Sequence, residues 1–248
     1  MTTERMIIVV PTRSRPHNVA PLVNSFTETD AFEDGVELCL VVDRDDPAFD
    51  DYLGTITEAV EAVGNERRTV TWLDATHHEQ LVPKLNKAAD YLRITQSPRY
   101  LGFMGDDHRP RSAGWVKAYR DELELAGTGI VSCPDGHRPD DLPTHWVMTT
   151  DIIKVLGGRM VPAPVEHLYC DNAIRDLAKE AGCWHYRTDL LVDHLNPYAG
   201  QRAPMDAQYQ RVNSSEQFRA DRAQYRTWKR HGGLSSDAHL VRTLKGQS

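Results

Sequence analysis

The residue types able to do chemistry stand closest together at Gly105-Asp106-Asp107-His108, where the apolar run 100–104 ends. Adjacent carboxylates are hard oxygen donors that suit Mg²⁺ or Mn²⁺, and an ion so held commonly carries a substrate phosphate as well. The run before them reads as a strand, and Pro110 forbids that strand to continue. Asp-Asp-His is also the composition of a solvated turn or a helix cap. Its meaning therefore depends on what else the chain delivers to the same place.

Three further polar groups follow strand-like runs. Residues 5–10 are apolar without alternation, as in a parallel strand covered on both faces, and they run into Pro11-Thr12-Arg13-Ser14-Arg15-Pro16. Residues 37–42 form a second such run and stop on Asp43; residues 184–192 give a last strand ending on Asp193-His194. The elements between them read as crossover helices. Val19, Leu22, Val23 and Phe26 share a helical face, a second helix spans 49–63, and Leu81, Leu85, Ala88 and Leu92 mark a third. Residues 69–73, 129–133 and 145–149 supply further strands; 115–125, 151–156 and 171–181 supply further helices, the last stopped by Gly182. Such a succession builds an α/β domain with a mostly parallel sheet, whose ligands bind outside the carboxyl ends of the strands. Residues 11–15, Asp43 and the Asp106-Asp107 pair are expected to cluster there. Neither a dinucleotide G-x-G-x-x-G nor a P-loop sequence occurs.

Composition narrows the function classes. The chain has 248 residues, 40% of them hydrophobic, enough for a substantial core. No apolar run is long enough to span a membrane or to form a signal-peptide core, so a cytoplasmic protein is expected. Cys39, Cys133, Cys170 and Cys183 are scattered without a C-x-x-C pair, which favours reduced, buried thiols over zinc ligation. The net charge is −7, yet residues 187–248 carry ten Lys and Arg against six Asp and Glu. An acidic body argues against nonspecific nucleic-acid binding as the main activity. The basic end could face an anionic substrate or be an arginine-rich helical surface.

The residues together resemble a known family. Pro-Thr-Arg-Ser-Arg-Pro after the first strand, Asp43 after the second, Leu-Val-Pro-Lys-Leu-Asn-Lys-Ala on the helix before the acidic strand, Phe-Met-Gly-Asp-Asp-His, and a late Asp-Asn helix followed by Asp-His are similar to a GT-A fold glycosyltransferase of the family 2 type. The similarity spans about residues 5–197, and the compact Gly-Asp-Asp-His form with a short tail resembles the small glycosyltransferases of actinobacterial phages. It implies a Rossmann-like catalytic domain over 1–197 and a C-terminal extension over 198–248, helical, forming a lid or an acceptor-side segment.

Site roles follow from the resemblance position by position. Pro11, Thr12, Arg13 and Arg15 would line the nucleotide pocket, Asp43 would accept from the base, usually uracil, and Lys84 and Asn86 would approach the nucleotide or donor sugar. Asp107 and His194 would bind Mn²⁺ or Mg²⁺, with Asp106 on the ribose or a metal-bound water. Gly105 departs from the commoner pattern, in which the first Asp of Asp-x-Asp stands there. The base that takes the acceptor proton would be Asp171, at the start of a helix whose dipole favours the ionised form, or else Glu166 in the preceding loop. The implied reaction is transfer of a sugar from a nucleotide-sugar, UDP-linked, to an acceptor hydroxyl with inversion. The acceptor could be a modified DNA base or a virion protein, in the host cytoplasm if the gene is a phage's. The alternatives are a nucleotidyltransferase acting on sugar phosphates, and a nucleotide-sugar-binding protein without turnover.

Overall fold

The computed structural model describes residues 5–64, 70–75, 80–137, 141–197 and 205–245. Its centre is a seven-stranded sheet in the order β3-β2-β1-β4-β7-β6-β8, formed by β1 (Met6–Thr12), β2 (Val36–Asp43), β3 (Val70–Ala75), β4 (Tyr100–Phe103), β6 (Ile130–Ser132), β7 (Trp146–Thr149) and β8 (Trp184–Tyr186). Only β7 runs antiparallel to its neighbours. The central strands are buried on both faces, which is why residues 6–10 show no polar alternation.

Helices cover the two faces. α1 (Val19–Glu28), α2 (Phe49–Val63) and α4 (Trp115–Ala126) close over Met6, Ile8, Leu38 and Leu40. α3 (Leu81–Thr95), α5 (Thr150–Val155) and α6 (Cys170–Ala181) close over Ile7, Val9, Leu101 and Met148. Val9 and Val10 therefore serve opposite cores although adjacent, the period-two rule of a strand. All four cysteines are buried and unpaired.

The last strand of the sequence reading divides in two. β8 leaves the sheet after Tyr186, the chain turns where the Leu190 amide bonds to the Arg187 carbonyl, and β9 (Val192–His194) joins a separate two-stranded ladder. Its partner is β5 (His108–Pro110), a strand absent from the sequence reading because Pro110 stands in it. Proline is tolerated there because the strand is an edge.

Residues 205–245, within the extension expected to be helical or a lid, form α7 (Ala207–Val212), α8 (Ser215–Arg230) and α9 (Gly233–Lys245). Trp228, Leu234, Ala238 and Val241 add to the core that α6 faces. Asp206 and Ser214 cap α7 and α8 with their side chains. Thr69, which opened the third strand in the sequence reading, and Tyr198 and Arg202 in the tail lie outside the described residues.

Candidate functional site

Beyond the carboxyl edge of the sheet, the β5–β9 ladder decides the geometry of the acidic motif. Its register sets His108 opposite His194, and the two rings stack 4.3 Å apart at 12°. Asp107 reaches both: Oδ1 lies 3.3 Å from His108 Nδ1, and Oδ2 lies 3.6 Å from His194 Nε2. One ligand atom from each of the three residues lies within 4.8 Å of the others. Adjacent ligands each about 2.1 Å from an octahedral ion are roughly 3 Å apart, so the three residues are near enough to share a divalent cation once their side chains adjust. The carboxylate oxygens suit Mn²⁺ or Mg²⁺, whereas the imidazole donors suit a transition ion better than Mg²⁺.

Electrostatics favours the charged carboxylate. Burial would raise Asp107, but His194 and His108 outweigh it and hold its carboxyl well below the usual range. His194 is raised despite burial because it faces Asp107, with Asp135 and Asp171 adding to the pull. His108 is lowered, by burial first and then by the charge of His194, and its Nδ1 accepts the Gly105 amide at 2.9 Å. Gly105 is required by space. A Cβ there would lie 2.6 Å from Asp107 Oδ1 and 2.9 Å from His108 Nδ1. The glycine in place of an acid is thus the condition for His108 folding back beside Asp107.

Asp106 points the other way, into the loop after β1. Its carboxylate accepts from Thr12 Oγ1 at 2.6 Å and Asn18 Nδ2 at 3.2 Å, with Arg15 Nη1 at 3.4 Å. Burial and the neighbouring Asp107 push it up to about 6. Tyr52 joins the same network, 2.7 Å from Thr12 Oγ1 and accepting the Arg15 amide at 2.8 Å. Arg15 in turn forms a two-toothed pair with Asp206, at 2.7 and 2.9 Å, and lies 4.1 Å over the Tyr209 ring. The Tyr209 hydroxyl donates to Asp107 Oδ2. α7 is thereby fastened to the loop after β1 and to Asp107 at once.

A second ionic group forms at the end of β2. Asp43 is fully buried; its Oδ2 accepts from Lys84 Nζ at 2.6 Å and Arg13 Nη1 at 2.9 Å. Oδ1 of Asp43 is buried and makes no hydrogen bond among the described residues. Burial lowers Lys84 even though Asp43 pulls it upward.

The third contribution comes from the entry to α6. Tyr169 takes a left-handed conformation, φ 66°, uncommon for a bulky residue, and Asp171 follows in the first helical turn. The turn before it is gripped by a carboxylate from α8. Asp221 accepts the Glu166 amide at 2.8 Å, the His167 amide at 3.1 Å and the Leu168 amide at 2.7 Å.

These groups converge on one cavity of about 270 Å³. Among the residues expected from sequence, Pro11, Thr12, Arg13, Arg15, Lys84, Asp106, Asp107, Asp171 and His194 line it. Three do not. Asp43 sits behind Arg13 and Lys84; Asn86 is committed to both backbone groups of Val161, at 3.0 and 2.8 Å; Glu166 is exposed, with its carboxylate 3.3 Å from Gln217. The sequence reading left out Tyr209, Arg211, Asn18 and Tyr52, and it gave His108 no role. Only the capping residue Asp206 before α7 carried a local signal.

No protein-family model matches the sequence, and no curated protein matches it. Solved structures do. A mannosyltransferase of Pyrobaculum calidifontis, PcManGT, solved with GDP-Man and Mn²⁺, superposes with a TM-score of 0.68 at 15% identity, over 99% of this chain and 74% of that one. The residue 1–349 form of S. aureus TarS superposes at 0.58 and 11% identity, over 98% and 90%. The same form with UDP-GlcNAc gives 0.56 at 12% identity, over 84% and 64%. Against a longer TarS structure, this chain spans 37% of the neighbour's length. The chain has the α/β fold of these GT-A glycosyltransferases, a mostly parallel sheet flanked by helices.

Proposed function

We propose that this chain is a metal-dependent glycosyltransferase that moves a sugar from a nucleoside-diphosphate sugar, UDP-linked, to an acceptor hydroxyl with inversion. The observation that carries the reading is the meeting of Asp107, His108 and His194 in one cavity with Arg13, Arg15 and Lys84. Departure of a nucleoside diphosphate puts negative charge on phosphate oxygens, and three cations beside a carboxylate–imidazole group answer that charge. The bound ion, held by Asp107 and His194 with His108 beside them, would supply electrostatic stabilisation of the leaving diphosphate. The uridine assignment rests on the sequence resemblance: guanine also offers N–H donors to a carboxylate, and Asp43 lies behind Arg13 and Lys84.

Asp171 lines the same cavity at the N-terminal end of α6, where the helix dipole keeps a carboxylate ionised. It takes the proton from the acceptor hydroxyl, while Asp221 fixes the turn from which it projects. Glu166 lies outside the cavity and makes the poorer base.

The test is incubation with UDP-sugars and Mn²⁺. Free UDP is expected, and Asp107→Ala abolishes its metal-dependent release. Asp171→Ala leaves UDP binding intact while transfer to an acceptor falls on the order of 10²-fold or more. Release of pyrophosphate from a nucleoside triphosphate and a sugar phosphate would replace the reading with nucleotidyl transfer. Nucleotide-sugar binding with no turnover in the presence of metal would replace it with a binding protein.

A further inference from the structure

We propose that the outer face of α8 is a docking surface for duplex DNA. Arg219, Arg222, Arg226 and Arg230 are exposed, and they fall within an arc of about 80° along roughly 16 Å of helix. None of the four makes an ion pair or hydrogen bond among the described residues. Carboxylates are nonetheless abundant, with 36 Asp and Glu against 29 Lys and Arg in the chain.

The acids of the same segment are turned away from the row. Asp206 is held by Arg15, Asp221 by backbone amides of residues 166–168, and Asp237 by Trp228 Nε1 at 2.8 Å and Arg159 at 3.0 Å. Lys229, at the edge of the row, pairs with Asp176 of α6. Glu216, one turn before Arg219, is the exposed acid nearest the row on α8. The outcome is a straight cationic rail on a molecule of net charge −7.

The chemistry of the rail selects the partner. Guanidinium groups bind phosphate through two parallel hydrogen bonds, and about 16 Å of duplex presents roughly ten phosphate charges. An inserting amphipathic helix would carry large apolar side chains within the cationic arc, and the arc has none; Phe218, exposed, lies to one side, 5.5 Å from Tyr169. Single-stranded nucleic acid would require aromatic platforms, whereas Tyr225 is stacked on Tyr169 and Trp228 is buried.

The rail starts beside the cavity. Arg211 and Asn213 line it, and α8 begins at Ser215. On the transferase reading, a duplex held along α8 makes a DNA-borne group the proposed sugar acceptor. The acceptor assignment rests on the transferase reading; the docking does not.

Fluorescence anisotropy with a labelled 20-base-pair duplex, without metal or sugar, tests the docking apart from transfer. Four phosphate contacts predict a slope of log affinity against log salt near −3.6, about a hundredfold loss between 50 and 200 mM. Each single Arg→Gln change lowers the slope by about one, and the quadruple variant (R219Q, R222Q, R226Q, R230Q) loses binding while keeping its unfolding midpoint. Duplex binding unchanged in the single and quadruple variants would overturn the proposal. So would absence of saturable binding by the unaltered chain at 50 mM salt, or tighter binding to phosphatidylglycerol vesicles than to the duplex.

Discussion

Replacing Gly105 with alanine should strike the metal corner while leaving the fold in place. The added Cβ would stand 2.6 Å from Asp107 Oδ1, 2.9 Å from His108 Nδ1 and 3.2 Å from His108 Cε1, against 3.4 Å for ordinary contact. The oxygen must recede by about 0.8 Å, and it cannot swing freely, because Asp107 is buried, bonded to Tyr209 and flanked by His194. Sites of this kind tolerate about 0.5 Å of displacement. Disturbing the shell around a metal commonly costs 10–100-fold in affinity, so Mn²⁺ affinity should fall by roughly that factor. Overpacking of this size costs the metal-free protein about 1–3 kcal/mol, which leaves it folded. Titration of free Mn²⁺ by electron paramagnetic resonance reads affinity without requiring turnover, and thermal unfolding without metal reads the fold. An alanine variant that binds Mn²⁺ as tightly as the unaltered chain, while Asp107→Ala does not bind it, would refute the steric argument and leave Asp107 as ligand.

Asp43→Ala strands Lys84, which is 5% exposed, and should destabilise the protein by about 3–5 kcal/mol in chemical denaturation; adding Lys84→Met should restore much of the loss. Tyr209→Phe removes the hydroxyl that donates to Asp107. Since a hydrogen bond to a charged group contributes about 1.5–3 kcal/mol, Mn²⁺ should bind at least about tenfold tighter in calorimetry; weaker binding would mean the hydroxyl supports the ion rather than competing with it.

The sheet was legible because its strands are short, apolar and bounded by polar strand ends. The buried run 6–10, the strand stopping at Asp43 and the helix 49–63 needed only periodicity. What escaped was long-range pairing. Nothing local marks His108–Pro110 as a strand, since its partner Val192–His194 is 82 or more residues away and is itself cut from a stretch that reads as one strand. The consequence fell on chemistry: His108 gained its neighbour His194 only through that ladder. Asn86 shows the converse limit, because a polar residue on the right helix is spent on the Val161 backbone, and no spacing along the chain reveals that.

The C-terminal helices were expected as a helical extension, but their bounds and packing were not legible, for another reason. Their apolar residues are few, and the acids that hold them down bond to distant partners: Asp206 to Arg15, Asp221 to the amides before α6, Asp237 to Trp228 and Arg159. A charge count over residues 187–248 registers the excess of cations but not its sidedness. Sidedness is what matters physically. Asp206 ties α7 to the loop after β1, Asp221 ties α8 to the turn that carries Asp171, and Asp237 ties α9 to Trp228 and Arg159; the same choice strips the outer surface of counter-charges. One set of substitutions therefore cannot probe both faces: neutralising the inward acids loosens the site, while neutralising Arg219, Arg222, Arg226 and Arg230 should leave it intact.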